Sequence, residues 1–172
     1  MGDPSRNRQK KLLTEAEGFL ELGLPEHALN RLERLSDDAA RKSSALYLKG
    51  DALRRLHRYA EALEPLSQAA EVAPSKSETW LALGACYRRM GELQSAIDAL
   101  EKASESNTGD PLIYFNLARY WSLSGDKSHA LEHLAKALTL EPRYRDRLET
   151  EPDFEQLRED PEFQALARVT SA

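Results

Sequence analysis

His129 and His133 stand four residues apart and so can share one face of a helix. Zinc-dependent hydrolysis uses such a pair as His-Glu-x-x-His, with the glutamate directly after the first histidine. Here Ala130 takes that place, and Glu132 instead precedes the second histidine. The pair therefore reads as two solvated side chains, and no metal is expected. Cys86 is the single cysteine, with Tyr87 beside it and no base near it in sequence. It reads as a small buried residue rather than a nucleophile. Gly84, Gly91, Gly109 and Gly125 are spaced as packing and turn residues, not as a phosphate-cradling loop. With 29 Asp and Glu in the chain, neighbouring carboxylates carry no information. No catalytic constellation emerges. The expectation is a chain that is not an enzyme and carries no cofactor.

The composition narrows the partners. The 172 residues are enough for one modest domain or a short repeat array, and 41% hydrophobic residues can build a core. A net charge of -5 argues against nucleic acid or an anionic membrane as the main partner. A lone cysteine favours a reducing compartment. The opening MGDPSRNRQKK is polar, no signal-type apolar run follows it, and Arg6 stands where a myristoylation signal wants Ser or Thr. No window approaches membrane-spanning length. A cytoplasmic protein without membrane insertion is the expectation.

The elements that position any site come from a repeat. The stretches 46–74, 80–108 and 114–142 align at an offset of 34 residues. Gly50, Gly84 and Ala118 fall in one column, and Ala62, Ala96 and Ala130 in another. Leu66, Leu100 and Leu134 follow, then Ala69, Ala103 and Ala137. Pro74, Thr108 and Pro142 end the copies. A fainter copy precedes them, with Ala28 and Leu32 in register and Gly23 in the column of His57, Gly91 and Gly125. Each copy holds two segments of helical apolar periodicity around a short polar turn. In the third copy Trp80, Leu83, Gly84 and Tyr87 share one face. A mid-helix glycine costs about 1 kcal/mol relative to alanine, so Gly50 and Gly84 point to close helix approach. One hairpin cannot bury its own apolar face, so the copies must stack.

The 34-residue period, with Trp80-x-x-Leu83-Gly84-x-x-Tyr87 and then Ala96, Leu100 and Ala103, resembles the tetratricopeptide repeat (TPR) family. The resemblance implies an all-α fold, a right-handed superhelical stack of helical hairpins with C-terminal capping helices. Residues 1–8 are expected to be a flexible N-terminus. Residues 9–142 would form four repeats, the first degenerate, and residues 143–172 a capping helical segment. In such arrays the first helices line a concave groove through five set positions of each copy. Carried over, these positions place Tyr47, Leu81 and Phe115, with Leu13, in an apolar ladder. Arg54, Arg55, Arg88, Arg89 and Arg119 run beside it as a basic stripe. Arginine holds carboxylates bidentately, so a ligand segment with acidic and apolar residues is implied. A family subtype that clamps extreme C-terminal carboxylates uses lysines, an arginine and two asparagines at set positions. Tyr47, Asp51, Ala82, Leu112 and Asn116 stand there instead, which argues against that ligand.

In the last thirty residues, Asp153 or the Glu151-Pro152 pair, and then Asp160-Pro161, look like openings of short helical turns. Phe154, Leu157, Phe163 and Leu166 are spaced to bury against the last repeat as a cap, and together with Leu148 they form the apolar surface that self-assembly would use. The leading functional reading is a protein-interaction module or scaffold that takes a partner peptide or helix in the groove. The alternatives are a self-assembling scaffold using the C-terminal segment and a regulatory subunit of an enzyme complex. Nucleic-acid binding through the arginines is the least favoured reading.

Overall fold

The structure, a computed structural model, describes residues 4–168. It is helical, in the order α1 (Pro4–Glu21), α2 (Pro25–Leu32), α3 (Asp37–Ala40), α4 (Ser43–Arg55), α5 (Tyr59–Val72), α6 (Ser77–Met90) and α7 (Leu93–Ser106). Then come α8 (Pro111–Ser124), α9 (Lys127–Leu140), a 3-10 turn (Pro142–Tyr144), α10 (Arg145–Leu148), a second 3-10 turn (Pro152–Leu157) and α11 (Pro161–Arg168). The helix α1 begins at Pro4, so residues 4–8 are helical. Residues 1–3 and 169–172 lie outside the described residues.

One column of the sequence makes every hairpin turn. Gly23, His57, Gly91 and Gly125 each adopt a positive φ, of 71°, 60°, 82° and 84°. Each ends the first helix of a pair with the same two hydrogen bonds. Gly91 N donates to Arg88 O (3.2 Å), and Glu92 N donates to Tyr87 O (2.9 Å). Glycine reaches this conformation without the side-chain clash that other residues meet. His57 adopts it as well, with its ring Nδ1 2.6 Å from the Tyr59 hydroxyl.

The pairs α1/α2, α4/α5, α6/α7 and α8/α9 stack in chain order. Each second helix packs on the next first helix: α2 on α4, α5 on α6, α7 on α8. First helices also adjoin one another, α1 with α4 and α4 with α6. They therefore form the inner layer, and the second helices form the outer one. The small-residue columns explain the tight pairs. A Cβ on Gly50 would lie 2.4 Å from Leu66 Cγ, and one on Gly84 would lie 3.2 Å from Leu100 Cγ. Ala62, Leu66, Ala69 and their equivalents in the next two copies are each at most 1% exposed. Every leucine buried in this way contributes about 1.5–3 kcal/mol.

The first hairpin departs from the pattern. Its second helix, α2, has 8 residues, whereas α5, α7 and α9 have 14 each. The last repeat is closed by the chain itself. Leu148, Phe154, Leu157 and Phe163 join one core with Phe115, Leu131, Leu134 and Leu138, and Leu166 packs against it. Asp160 starts α11, accepting from Glu162 N (2.9 Å) and Phe163 N (3.2 Å). The apolar residues that suggested self-assembly are thus covered within the chain. Among the described residues, no helix is long and apolar enough to cross a membrane.

Candidate functional site

The five arginines of the stripe converge. Arg54, Arg55, Arg88, Arg89 and Arg119 line one open cavity of about 440 Å³ together with His57, Tyr59, Ala85, Asn116 and Tyr120. The repeat does the positioning. Arg54 and Arg55 end α4, Arg88 and Arg89 sit one period later in the last turn of α6, and Arg119 lies in α8. Cations in the last turn of a helix also face its negative end, which favours them there.

Two carboxylates organise the cluster from opposite sides. Asp51 is 4% exposed and lies one turn before its partners. Its Oδ1 accepts from Arg54 Nη2 (2.6 Å) and Nε (3.0 Å), and its Oδ2 accepts from Arg55 Nε (2.8 Å). Arg55 Nη1 also donates to Leu20 O (2.9 Å), tying α4 to the end of α1. The second carboxylate comes from the cap. Asp153 accepts from Arg119 Nε (3.0 Å) and from Arg88 Nη2 (3.3 Å). Glu151 approaches Arg119 Nη2 (3.1 Å) and Arg147 Nη2 (3.4 Å). Arg89 is exposed, and no ion-pair partner for it is found among the described residues.

The apolar ladder divides in the same way. Leu13, Tyr47 and Leu81 are half-buried. Burial, aided by the Asp51 charge, pushes the Tyr47 hydroxyl above its ordinary range. Phe115 is fully buried, stacked on Tyr144 with centroids 4.5 Å apart and edge-on to Phe154 at 5.7 Å. It belongs to the cap interface and is not open to the groove. Arg88 and Arg119 are likewise engaged by the cap, whereas Arg54, Arg55 and Arg89 face the cavity free of it. Sequence reasoning missed the partners: Asp153, Glu151, and the rim residues His57, Tyr59 and Tyr120. Asp51 carried a readable signal, since it precedes Arg54 and Arg55 by three and four residues on a helix.

The remaining candidates for chemistry are occupied structurally. Cys86 is fully buried, and burial pushes its thiol up to about 11. His129 stacks on Trp121 (4.7 Å) and contacts Asp126 Oδ2 (2.8 Å) through Nδ1, while His133 stacks on Tyr114 (6.1 Å). Among the described residues no group of three or more His, Cys, Asp or Glu is placed to hold a metal ion.

Comparison with known proteins bears on the fold. A family model described as anaphase-promoting complex, cyclosome, subunit 3 matches residues 21–103, just under half of the chain. No curated protein matches. Among solved structures, MamA is 24% identical with a TM-score of 0.73, over 80% of this chain and 81% of that one. TTC0263, a thermophilic TPR protein of Thermus thermophilus, is 22% identical with a TM-score of 0.70, over 92% and 87%. YrrB, described as a TPR protein with an unusual peptide-binding site, is 22% identical with a TM-score of 0.67, over 78% and 70%. The chain thus has the all-α TPR fold, a superhelical stack of helical hairpins with capping helices.

Proposed function

We propose that this chain is a non-catalytic protein-interaction module that holds a partner segment bearing acidic and apolar residues on its inner face. The observation that carries this reading is the chain's own behaviour. Its segment around Glu151 to Phe154 already lies across the inner positions of α8, with a carboxylate between two stripe arginines and an aromatic ring on the ladder. A surface that holds one such segment within the chain has the chemistry to hold another from outside. The site consists of Arg54, Arg55 and Arg89 with Tyr47 and Leu81, bordered by Arg88 and Arg119. The repeats of residues 9–142 form the scaffold, and residues 143–168 close it. YrrB, with its described peptide-binding site, lends the reading support by analogy. A lone buried cysteine suits a reducing, cytoplasmic setting.

An array of random peptides probed with the wild-type chain and with Arg89→Glu tests the proposal. Arg89 is the right position because its side chain is exposed and its reversal leaves the cap intact. Enrichment of peptides with acidic and apolar residues, lost in the variant, is expected. Equal binding of neutral and acidic peptides, or identical profiles for the two proteins, would overturn it.

A further inference from the structure

The cap shows in detail what one repeat of the inner face holds. The Asp153 carboxylate rests between Arg88 of α6 and Arg119 of α8. The Asp153 carbonyl accepts from Ser122 Oγ (2.7 Å). The next side chain, Phe154, lies edge-on against Phe115. An acidic residue followed by an aromatic one is therefore read by four positions of the repeat.

The 34-residue period places the same four positions one repeat earlier. Arg54 corresponds to Arg88, Arg88 to Ser122, Leu81 to Phe115, and Ala85 to Arg119. Two of these substitutions keep the chemistry. A guanidinium replaces a hydroxyl as the donor for a carbonyl, and one apolar shelf replaces another. The third opens space, because Ala85 lacks the side chain that Arg119 extends. Ala85 lines the cavity of about 440 Å³. The charge that Ala85 does not supply is available from Arg55 and Arg89 at the same cavity.

The electrostatics point the same way. Five guanidinium groups line the cavity and meet three carboxylates, Asp51, Asp153 and Glu151, the last of which is shared with Arg147. Positive charge is left over. Arg88 holds Asp153 through Nη2 alone, and its buried Nε has no hydrogen-bond partner. The Arg88 side chain is 37% exposed, so its guanidinium keeps other donors within reach of a further acceptor.

We infer that the cavity binds an Asp or Glu followed directly by a large apolar residue, seated one repeat before Asp153–Phe154. This rests on the groove reading proposed above and adds order and register to it. The acidic side chain lies against Arg54, Arg55 and Arg89. Its carbonyl faces Arg88, and the following side chain covers Leu81 and Tyr47. The cap stays in place and forms the end wall of the site. The occupant is a segment of a partner protein.

The test uses the whole chain and a fluorescently labelled peptide of the sequence TEPDFEQLR, titrated by anisotropy. Saturable binding is expected. Replacing the peptide's Asp by Asn, its Phe by Ala, or exchanging the two residues should each weaken it about tenfold or more, since each removes a charge-assisted bond or an apolar anchor. Arg89→Glu should weaken it at least as much with an unchanged circular dichroism spectrum, and Arg54→Gln should weaken it to a smaller degree. Peptides that bind through Arg89 but tolerate the exchange would overturn the register while leaving the groove reading standing. Binding unaffected by both arginine variants would overturn both. Tightening by tenfold or more in Asp153→Asn, with Arg89→Glu silent, would show that the peptide displaces the cap, and would overturn the placement.

Discussion

Asp153→Asn tests whether charge holds the cap on the last repeat. Asp153 is 8% exposed, and its carboxylate meets Arg119 Nη2 at 2.8 Å and Nε at 3.0 Å. The Arg119 side chain is 24% exposed, so this pair is only partly screened by water. A hydrogen bond to a charged group contributes about 1.5–3 kcal/mol net. The Arg88 contact is longer, at 3.3 Å, and that side chain is 37% exposed. It therefore belongs with surface pairs, at about 0–1 kcal/mol. Asparagine keeps one acceptor oxygen and the backbone bond from Ser122, and Glu151 still faces Arg119 at 3.1 Å. The net loss should be about 2 kcal/mol. In a chain of this length that lowers Tm by roughly 4–8 °C. Urea unfolding followed by circular dichroism measures it. The internal control is Asp160→Asn, which removes the solvent-screened pair with Lys127 Nζ (2.5 Å) but leaves an equally good helix cap, and should cost clearly less than Asp153→Asn. A loss below about 0.5 kcal/mol for Asp153→Asn, or no difference between the two variants, would refute an electrostatic clasp and leave Phe154 and Leu157 as the cap's anchors.

Three further outcomes are expected. Gly50→Ala forces a Cβ to within 2.4 Å of Leu66 Cγ in a fully buried leucine and should cost about 2 kcal/mol, whereas Gly84→Ala, with its nearest contact at 3.2 Å, should stay within about 0.5 kcal/mol because helix propensity offsets the crowding; equal effects in thermal melts would contradict the packing account. His57→Gly should raise stability by about 0.5 kcal/mol, since relief of the left-handed conformation outweighs the added freedom of the unfolded chain, and a lower melting temperature would show that the contact with Tyr59 matters more. His133 has its pKa lowered, first by burial, so the folded state binds fewer protons than the unfolded one. Stability should therefore fall as pH drops through the ordinary histidine range, and His133→Gln should flatten that slope in urea titrations at several pH values.

The helices and their turns were legible because each is written several times. The Gly23, His57, Gly91 and Gly125 column needed only alignment, and the structure gives all four the same backbone turn. The arginine stripe was legible as a set of positions for the same reason. Its state of engagement was not. The Arg54 and Arg55 partner lies on their own helix, so helix spacing alone points to Asp51. The partner of Arg88 and Arg119 lies 65 and 34 residues away, beyond the last regular copy. No periodic pattern predicts where the chain goes once the pattern has stopped.

Where it stops has a local cause with a long reach. Arg145 stands one period after Pro111, and α10 begins there as the first helix of a further repeat would. Pro152 ends that possibility. A proline seven residues along cannot donate to the helical ladder and drives the residue before it into extended backbone, and Glu151 has a ψ of 111°. The chain then turns across α8 instead of running parallel to it, which brings Asp153 to the arginines and Phe154 to Phe115. Phe115, read from the sequence as an open rung of the ladder, is buried by that turn. The same bend that seals the apolar end of the stack thus takes two of the five arginines and one of the aromatic rungs. Arg54, Arg55 and Arg89 are left around Ala85 without a contact to the cap, at a cavity whose edge is made by the chain's own acidic segment.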